Sequence, residues 1–253
     1  MQIVSLKGVS KTYHGVVVVR DLSLEIASGE IVALLGQTGA GKSTILNMIM
    51  GQTAPSTGEI RINGVDPRSN DPKLRGFMAV SFQTDRLLPW RTAHQNVALG
   101  LEYLGVAKSQ CHVRARDWLN RVKLSEIHHA KFPHQLSGGM RQRVSLARAM
   151  AVDPGLVLLD ESFSQLDHTT SHVLREDFVS LVKEFQKTCM LITHRIDDAI
   201  EMADRIILLA APASIRFEIR VDHTEKQAVA RIRDQIATAL ANEQRADMAA
   251  AAN

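Results

Sequence analysis

The stretch Gly36-Gln37-Thr38-Gly39-Ala40-Gly41-Lys42-Ser43-Thr44 constrains the fold of this chain more than any other, because it joins an apolar run at residues 31–35 to a helical pattern at 45–50. The spacing of glycine, four residues, then Gly-Lys-Ser is that of a P-loop, and a buried strand before it with a helix after it is the setting the motif needs. Glycines let the backbone amides face one concavity, and the helix start adds its positive dipole end. Lys42 then reaches the outer phosphates of a nucleotide, and the Ser43 hydroxyl ligates magnesium. This motif requires an α/β fold. Alone it leaves kinases, GTPases and ATPases open.

Two further apolar runs, at residues 156–159 and 190–192, lack the alternation of a half-solvated strand and predict strands buried on both faces. They end in Asp160-Glu161 and Thr193-His194. Ligands sit at the carboxyl ends of strands in open parallel sheets, so three strand ends are expected to meet at one crevice. Strand-like segments at 3–6, 16–19 and 59–63, punctuated by Ser28-Gly29 and Asn63-Gly64, predict an antiparallel β region beside the parallel core. Helical periodicity takes over from about residue 92 to 151, over 95–103, 113–122 and 139–150, and predicts a helical insert spanning about residues 88–151. After residue 221, Val229, Ile232, Ile236 and Leu240 recur at helical spacing, which predicts a tail over 222–253 made of one packing helix with a frayed end at 248–253. The tail could dock on the core, bind a neighbour or sense a regulator, and its composition favours none of these.

Composition sets the class of partner. Apolar residues make up 45% of the 253, charged residues 23%, and the formal net charge is +3 with its basic groups scattered, so no nucleic-acid footprint is expected. Cys111 and Cys189 fit no metal spacing and suit a reducing cytosol, and the loose group of His128, His129 and His134 is not expected to bind metal. The first eleven residues lack the apolar core of a secretory signal, and the apolar run at 206–213 is too short to cross a bilayer. Any membrane role must come through a partner.

The choice among P-loop proteins comes from Leu136-Ser137-Gly138-Gly139-Met140-Arg141-Gln142-Arg143, followed by Leu156-Val157-Leu158-Leu159-Asp160-Glu161. A lone Ser-Gly-Gly would be a helix cap. Here the first string resembles the ABC signature and the second its Walker B strand. Ser137, Gly138 and Gly139 at a helix start present a hydroxyl, free amides and a positive dipole end, a second anion site separate from the first. The resemblance to ABC ATPases implies that this second site closes over the nucleotide of another subunit, either another copy or a close paralogue. It also implies ATP and Mg2+ as cofactors. Asp160 would hold the metal directly or through water, and Glu161 would polarise the attacking water as general base. Gln83, after residues 77–82, resembles the Q-loop glutamine that contacts magnesium and the water, and His194 matches the switch histidine at the γ-phosphate. Tyr13, in Lys11-Thr12-Tyr13, lies where the family stacks an aromatic on adenine. Asp167 resembles the D-loop residue that crosses the dimer interface, and it also suits a helix N-cap; both can hold. The likeness spans about residues 3–221, a nucleotide-binding domain of residues 1–221 followed by the tail. Three positions depart from the family pattern: Ser162 replaces a common proline, Gln165 an alanine and Arg195 an aspartate.

Leu87-Leu88-Pro89-Trp90-Arg91-Thr92, then Asn96-Val97-Ala98-Leu99-Gly100-Leu101, is similar to ATPases of the nitrate, sulfonate and taurine importers. That likeness implies an ATPase subunit at the cytoplasmic face of the inner membrane, peripheral to a permease and served indirectly by a solute-binding protein. The apolar stretch with Trp90 suits a groove for a helix of the permease, or else core packing of the insert. The alternative is a soluble ABC protein of repair or translation, or a cassette kept mainly for regulation. Repair and translation chains usually carry two cassettes or a long coiled-coil insertion, and this one has neither. A P-loop kinase would have no use for the signature string.

Overall fold

Residues 1–164, 166–224 and 226–251 are described by the structure, a computed structural model, and fall into two units, Met1–Ser69 with Met190–Asn253 and Asn70–Cys189. The chain opens with β1 (Gln2–Tyr13) and β2 (Val16–Ala27), an antiparallel pair turned at His14 and Gly15, both at positive φ. β3 (Ile31–Leu35) leads into α1 (Lys42–Ile49), and β4 (Thr57–Ile62) pairs antiparallel with β1 to give the order β2-β1-β4. The expected strand segments here were short cores of longer strands. β1 and β2 run for 12 residues each, β2 because its alternating burial continues past the apolar cluster and β1 because it pairs with β2 along its length.

The second unit holds β5 (Met78–Ser81), α2 (Ala93–Tyr103), α3 (Lys108–Arg121), α4 (Gly138–Ala151), β6 (Leu156–Asp160) and α5 (His168–Glu184). β5 and β6 pair parallel from Met78↔Leu156 to Ser81↔Leu159. The three helices of the predicted insert are present. α2 begins in a capping box, with Thr92 and Gln95 satisfying each other's backbone amides. α3 starts earlier than its periodicity suggested, because Cys111 and Ala115 supply small buried positions ahead of Trp118 and Leu119.

The chain continues through β7 (Thr188–Thr193), α6 (Ile196–Met202), β8 (Arg205–Ala210), β9 (Ser214–Arg220) and α7 (Lys226–Ala251). β3 is buried along its whole length and pairs parallel with β8, from Val32↔Arg205 to Leu35↔Leu208. The apolar run at 206–213 is divided: β8 ends at Ala210, Pro212 cannot continue a ladder, and β9 returns antiparallel. The tail is the expected helix. Among its residues whose burial is described, Ile232 and Ile236 are buried, and Arg233 pairs with Asp197 of α6 at 2.8 Å. The helix continues through residue 248 to Ala251 where fraying was expected, and residues 252–253 lie outside the described residues.

Candidate functional site

The phosphate loop hangs from the end of β3. A methyl group on Gly36 would lie 2.9 Å from the Leu209 carbonyl oxygen, and one on Gly41, at φ +82°, would lie 2.8 Å from the Val18 carbonyl oxygen. Space excludes a side chain at both positions, and at Gly41 backbone conformation excludes one as well. Gly41 also stands at the N-cap of α1 without any side-chain cap, and no acidic residue occupies the helix's first turn. The first amides of α1 are therefore donors that an incoming anion can satisfy. Lys42, only 6% exposed, donates from Nζ to the carbonyl oxygens of Gly36 at 2.6 Å and Gln37 at 2.7 Å. Its charge is held inside the curve of the loop. The Gln37 side chain donates from Nε2 to the Leu240 carbonyl of α7 at 3.4 Å.

Tyr13, at the end of β1, is 38% exposed, with the Lys11 ammonium 4.7 Å from its ring centre. His194 is exposed and follows the buried Thr193 of β7. Arg195 turns away along α6, its Nε 3.6 Å from the buried Asp198 carboxylate. The Thr193 hydroxyl accepts from the Arg195 amide at 3.0 Å and donates to Asp198 at 3.4 Å. The basic residue after His194 thus has its partner on the first turn of α6, which explains how arginine is tolerated there.

In the second unit, Asp160 is the last residue of β6, and Glu161 follows it at φ 47°, a conformation that non-glycine residues adopt rarely. The bend is pinned from both sides. Ser162 is 3% exposed and donates from Oγ to the Ser81 carbonyl at 2.8 Å, and Ser164 donates to the Glu161 carbonyl at 2.9 Å. A serine in place of proline therefore gives the turn a hydrogen bond to β5. Gln83 lies two residues beyond β5 and donates from Nε2 to the Ser164 hydroxyl at 3.5 Å, so the structure brings it to the Asp160–Glu161 bend. Gln165 lies outside the described residues.

Ser137 caps α4, its Oγ accepting from the Met140 amide at 3.3 Å, and Ser137 and Gly138 are both exposed. Asp167 caps α5 by accepting from the Thr170 amide at 3.0 Å, and that hydrogen bond holds its carboxyl below the usual carboxylate range. Sequence reasoning missed the groups that hold the Gln83 segment. The Arg141 Nε donates to the Asp85 carboxylate at 2.8 Å, and the Arg148 guanidinium donates to the carbonyls of Asp85 at 2.7 Å and Arg86 at 2.8 Å. These partners lie more than fifty positions apart, and no local pattern marks them.

Residues 19–164 match the family model described as ABC transporter. The chain belongs to that family. As an ABC ATPase it is 44% identical over 81% of its length to the taurine import ATP-binding protein TauB of Yersinia pestis, covering 79% of that protein. It is 39% identical over 82% of its length to the choline transport ATP-binding protein OpuBA of Bacillus subtilis, of which it covers 55%. A solved dimeric ATP-binding cassette, in a post-hydrolysis state bound to ADP and Pi, superimposes with a TM-score of 0.77 at 32% identity, over 87% of this ABC ATPase and 99% of that chain.

Proposed function

We propose that this ABC ATPase is the motor of an importer, binding ATP between two cassettes and driving a separate permease for a small solute such as nitrate, a sulfonate or taurine. One observation carries the reading. A P-loop with its lysine caged among loop carbonyls, and an Asp-Glu bend tied to a glutamine loop, occur in one chain with an exposed serine-glycine helix tip. The first set can grip a triphosphate and the second can activate water, and an exposed tip at the start of α4 is available to a second subunit.

The donor set fits the nucleotide and its metal. The amides of α1 and Lys42 suit phosphate oxygens, and the oxygens of Ser43, Gln83 and Asp160 suit Mg2+, a hard cation that takes few protein ligands besides phosphates. When bound, Mg2+ would offset the charge that builds on the β- and γ-phosphates. Glu161 would take a proton from water as its oxygen attacks the γ-phosphorus, the bond to the β–γ bridging oxygen breaks, and ADP and phosphate leave. Gln83 and His194 would hold that water and the γ-phosphate in line. Tyr13 would stack on the adenine, and Asp167 would reach across to the other cassette. The tip at Ser137, Gly138 and Gly139 would seal that cassette's nucleotide.

Two features support a membrane partner. Trp90 is 70% exposed although it sits among apolar residues, because Asn96, fully buried, binds the backbone of Leu88, Arg91 and Thr92 and turns the indole outwards. In the same unit a groove of about 730 Å3 runs between α2 and α3, from His94 and Ala98 to Lys108, His112 and Arg116. An exposed aromatic and a helix-lined groove in one unit fit a short helix of a permease. Among the described residues no helix is long and apolar enough to cross a membrane, so the translocation path would be the partner's. We place the protein peripherally, on the cytoplasmic face of the inner membrane, with a solute-binding protein reached only through the permease. The test is affinity capture of the full chain from detergent-solubilised membranes of its own cell. An integral membrane protein should be retained, and Trp90→Ala should lower its recovery. Retention of no membrane protein would leave the soluble alternative standing.

A further inference from the structure

We infer that Arg141 and Arg148 of α4 are positioning residues that lock the loop after Gln83 to the signature helix, so that nucleotide sensing at Gln83 and presentation of the Ser137 tip move as one body. This rests on the role proposed above for Gln83, but the clamp itself is a matter of geometry inside one unit.

α4 turns one face towards β5 and the loop that follows it. Gln142 donates to the Ser81 hydroxyl at 3.3 Å, and the Ser145 hydroxyl lies 3.3 Å from the same oxygen. Arg141 and Arg148 extend that face by one position before and three after, which places them two turns apart on the same side of a helix. The loop receives three links from them. Arg141 binds the Asp85 carboxylate through Nε and its own Leu136 carbonyl through Nη1 at 3.0 Å, so the guanidinium is fixed at both ends. Arg148 binds two successive backbone carbonyls, those of Asp85 and Arg86. Asp85 is further committed, because its other oxygen accepts from the Leu87 amide at 3.1 Å.

The loop held in this way is strained. Arg86 has φ 46°, and its guanidinium stacks 3.5 Å from the centre of the Phe82 ring. A non-glycine residue in that region costs free energy that surrounding contacts must offset, and the contacts here are the two arginines and the cation–π stack. Gln83 lies between Phe82 and Asp85, inside the strained segment. Any displacement of Gln83 pulls on a carboxylate and two carbonyls tied to α4. α4 is a regular helix of 14 residues whose first turn carries Gly138, with Ser137 as its cap. Such a helix is about 21 Å long and transmits motion without bending at a defined hinge. Truncating the clamp should therefore spare the phosphate loop and disturb the tip.

The experiment uses the full chain carrying Glu161→Gln, so that ATP persists, and reads two quantities: affinity of the monomer for a fluorescent ATP analogue, and the ATP concentration that gives half-maximal dimerisation by light scattering. Arg141→Gln and Asp85→Asn should each leave the affinity within about twofold while raising the dimerisation midpoint about tenfold, the size of coupling found between groups in direct contact. Asp85→Asn keeps the side-chain volume and guards against a simple folding defect. The reciprocal pair, Asp85→Arg with Arg141→Asp, should recover about threefold of the loss. Dimerisation at the parent midpoint in both single variants would overturn the inference, and so would a reciprocal pair impaired by the sum of the two singles. Gln83→Ala in the hydrolysing chain separates the two levels of argument. Parent-rate turnover there would refute the role of Gln83, whereas slowed turnover together with unperturbed Arg141 variants would refute the clamp alone.

Discussion

Lys42 and Glu161 stand at opposite ends of the chemistry, and the structure gives each a distinct physical situation. Lys42 is almost fully buried, and its ammonium donates to two loop carbonyls. Lys42→Ala is expected to abolish ATP binding in a titration, and unchanged affinity would refute its place in the phosphate cradle. Glu161 sits on a strained bend with serine hydrogen bonds around it, so a neutral amide of the same shape keeps the geometry and loses the base. Glu161→Gln should bind ATP normally and hydrolyse it at least about a hundredfold more slowly. Turnover near the parent rate would assign the base elsewhere. Both residues could be proposed from the sequence because the groups that suit them to these roles are packed into contiguous strings. Ser164 and Arg148 were not, since each acquires its meaning from a residue far away in the chain.

Among the elements, the strands that end in functional loops were the easiest to anticipate. β3, β6 and β7 are short, apolar without alternation and terminated by Gly36, Asp160 and His194 respectively, a pattern that follows from burial on both faces. β8 and β9 were obscured because the apolar run at 206–213 outlasts β8 and ends before β9 begins. Its final residues belong to a turn containing Pro212 and not to a strand, and β9 alternates between exposed and half-buried positions. α7 was expected from its spacing, yet its place was not readable: Arg233 to Asp197 ties it to the helix after His194, and Leu240 accepts from Gln37 of the phosphate loop. Its hold rests on Ile232 and Ile236, the latter wholly buried. Ile236→Ala should destabilise the protein by about 2–5 kcal/mol, as removal of a buried aliphatic does. A change below about 0.5 kcal/mol in denaturant unfolding, the range of surface substitutions, would show α7 to be undocked in solution.

On the scale of the whole molecule, the account turns on an incomplete site. The chain has one P-loop and one serine-glycine tip, each in its own unit, and Ser137 and Gly138 of the tip are exposed. In the function proposed here, binding and catalysis are completed by a second cassette, and what the permease receives is the approach of two subunits. The sequence carried this conclusion through the likeness of its motifs, while the contacts that would time the approach, such as Asp85 with Arg141, required the fold. The most direct test is the sizing of Ser137→Arg, made in the Glu161→Gln chain, with and without ATP. The account predicts a protein that binds ATP with the parent affinity and stays monomeric, while the Ser137 parent dimerises. An ATP-dependent dimer of the arginine variant, as stable as the parent's, would contradict it.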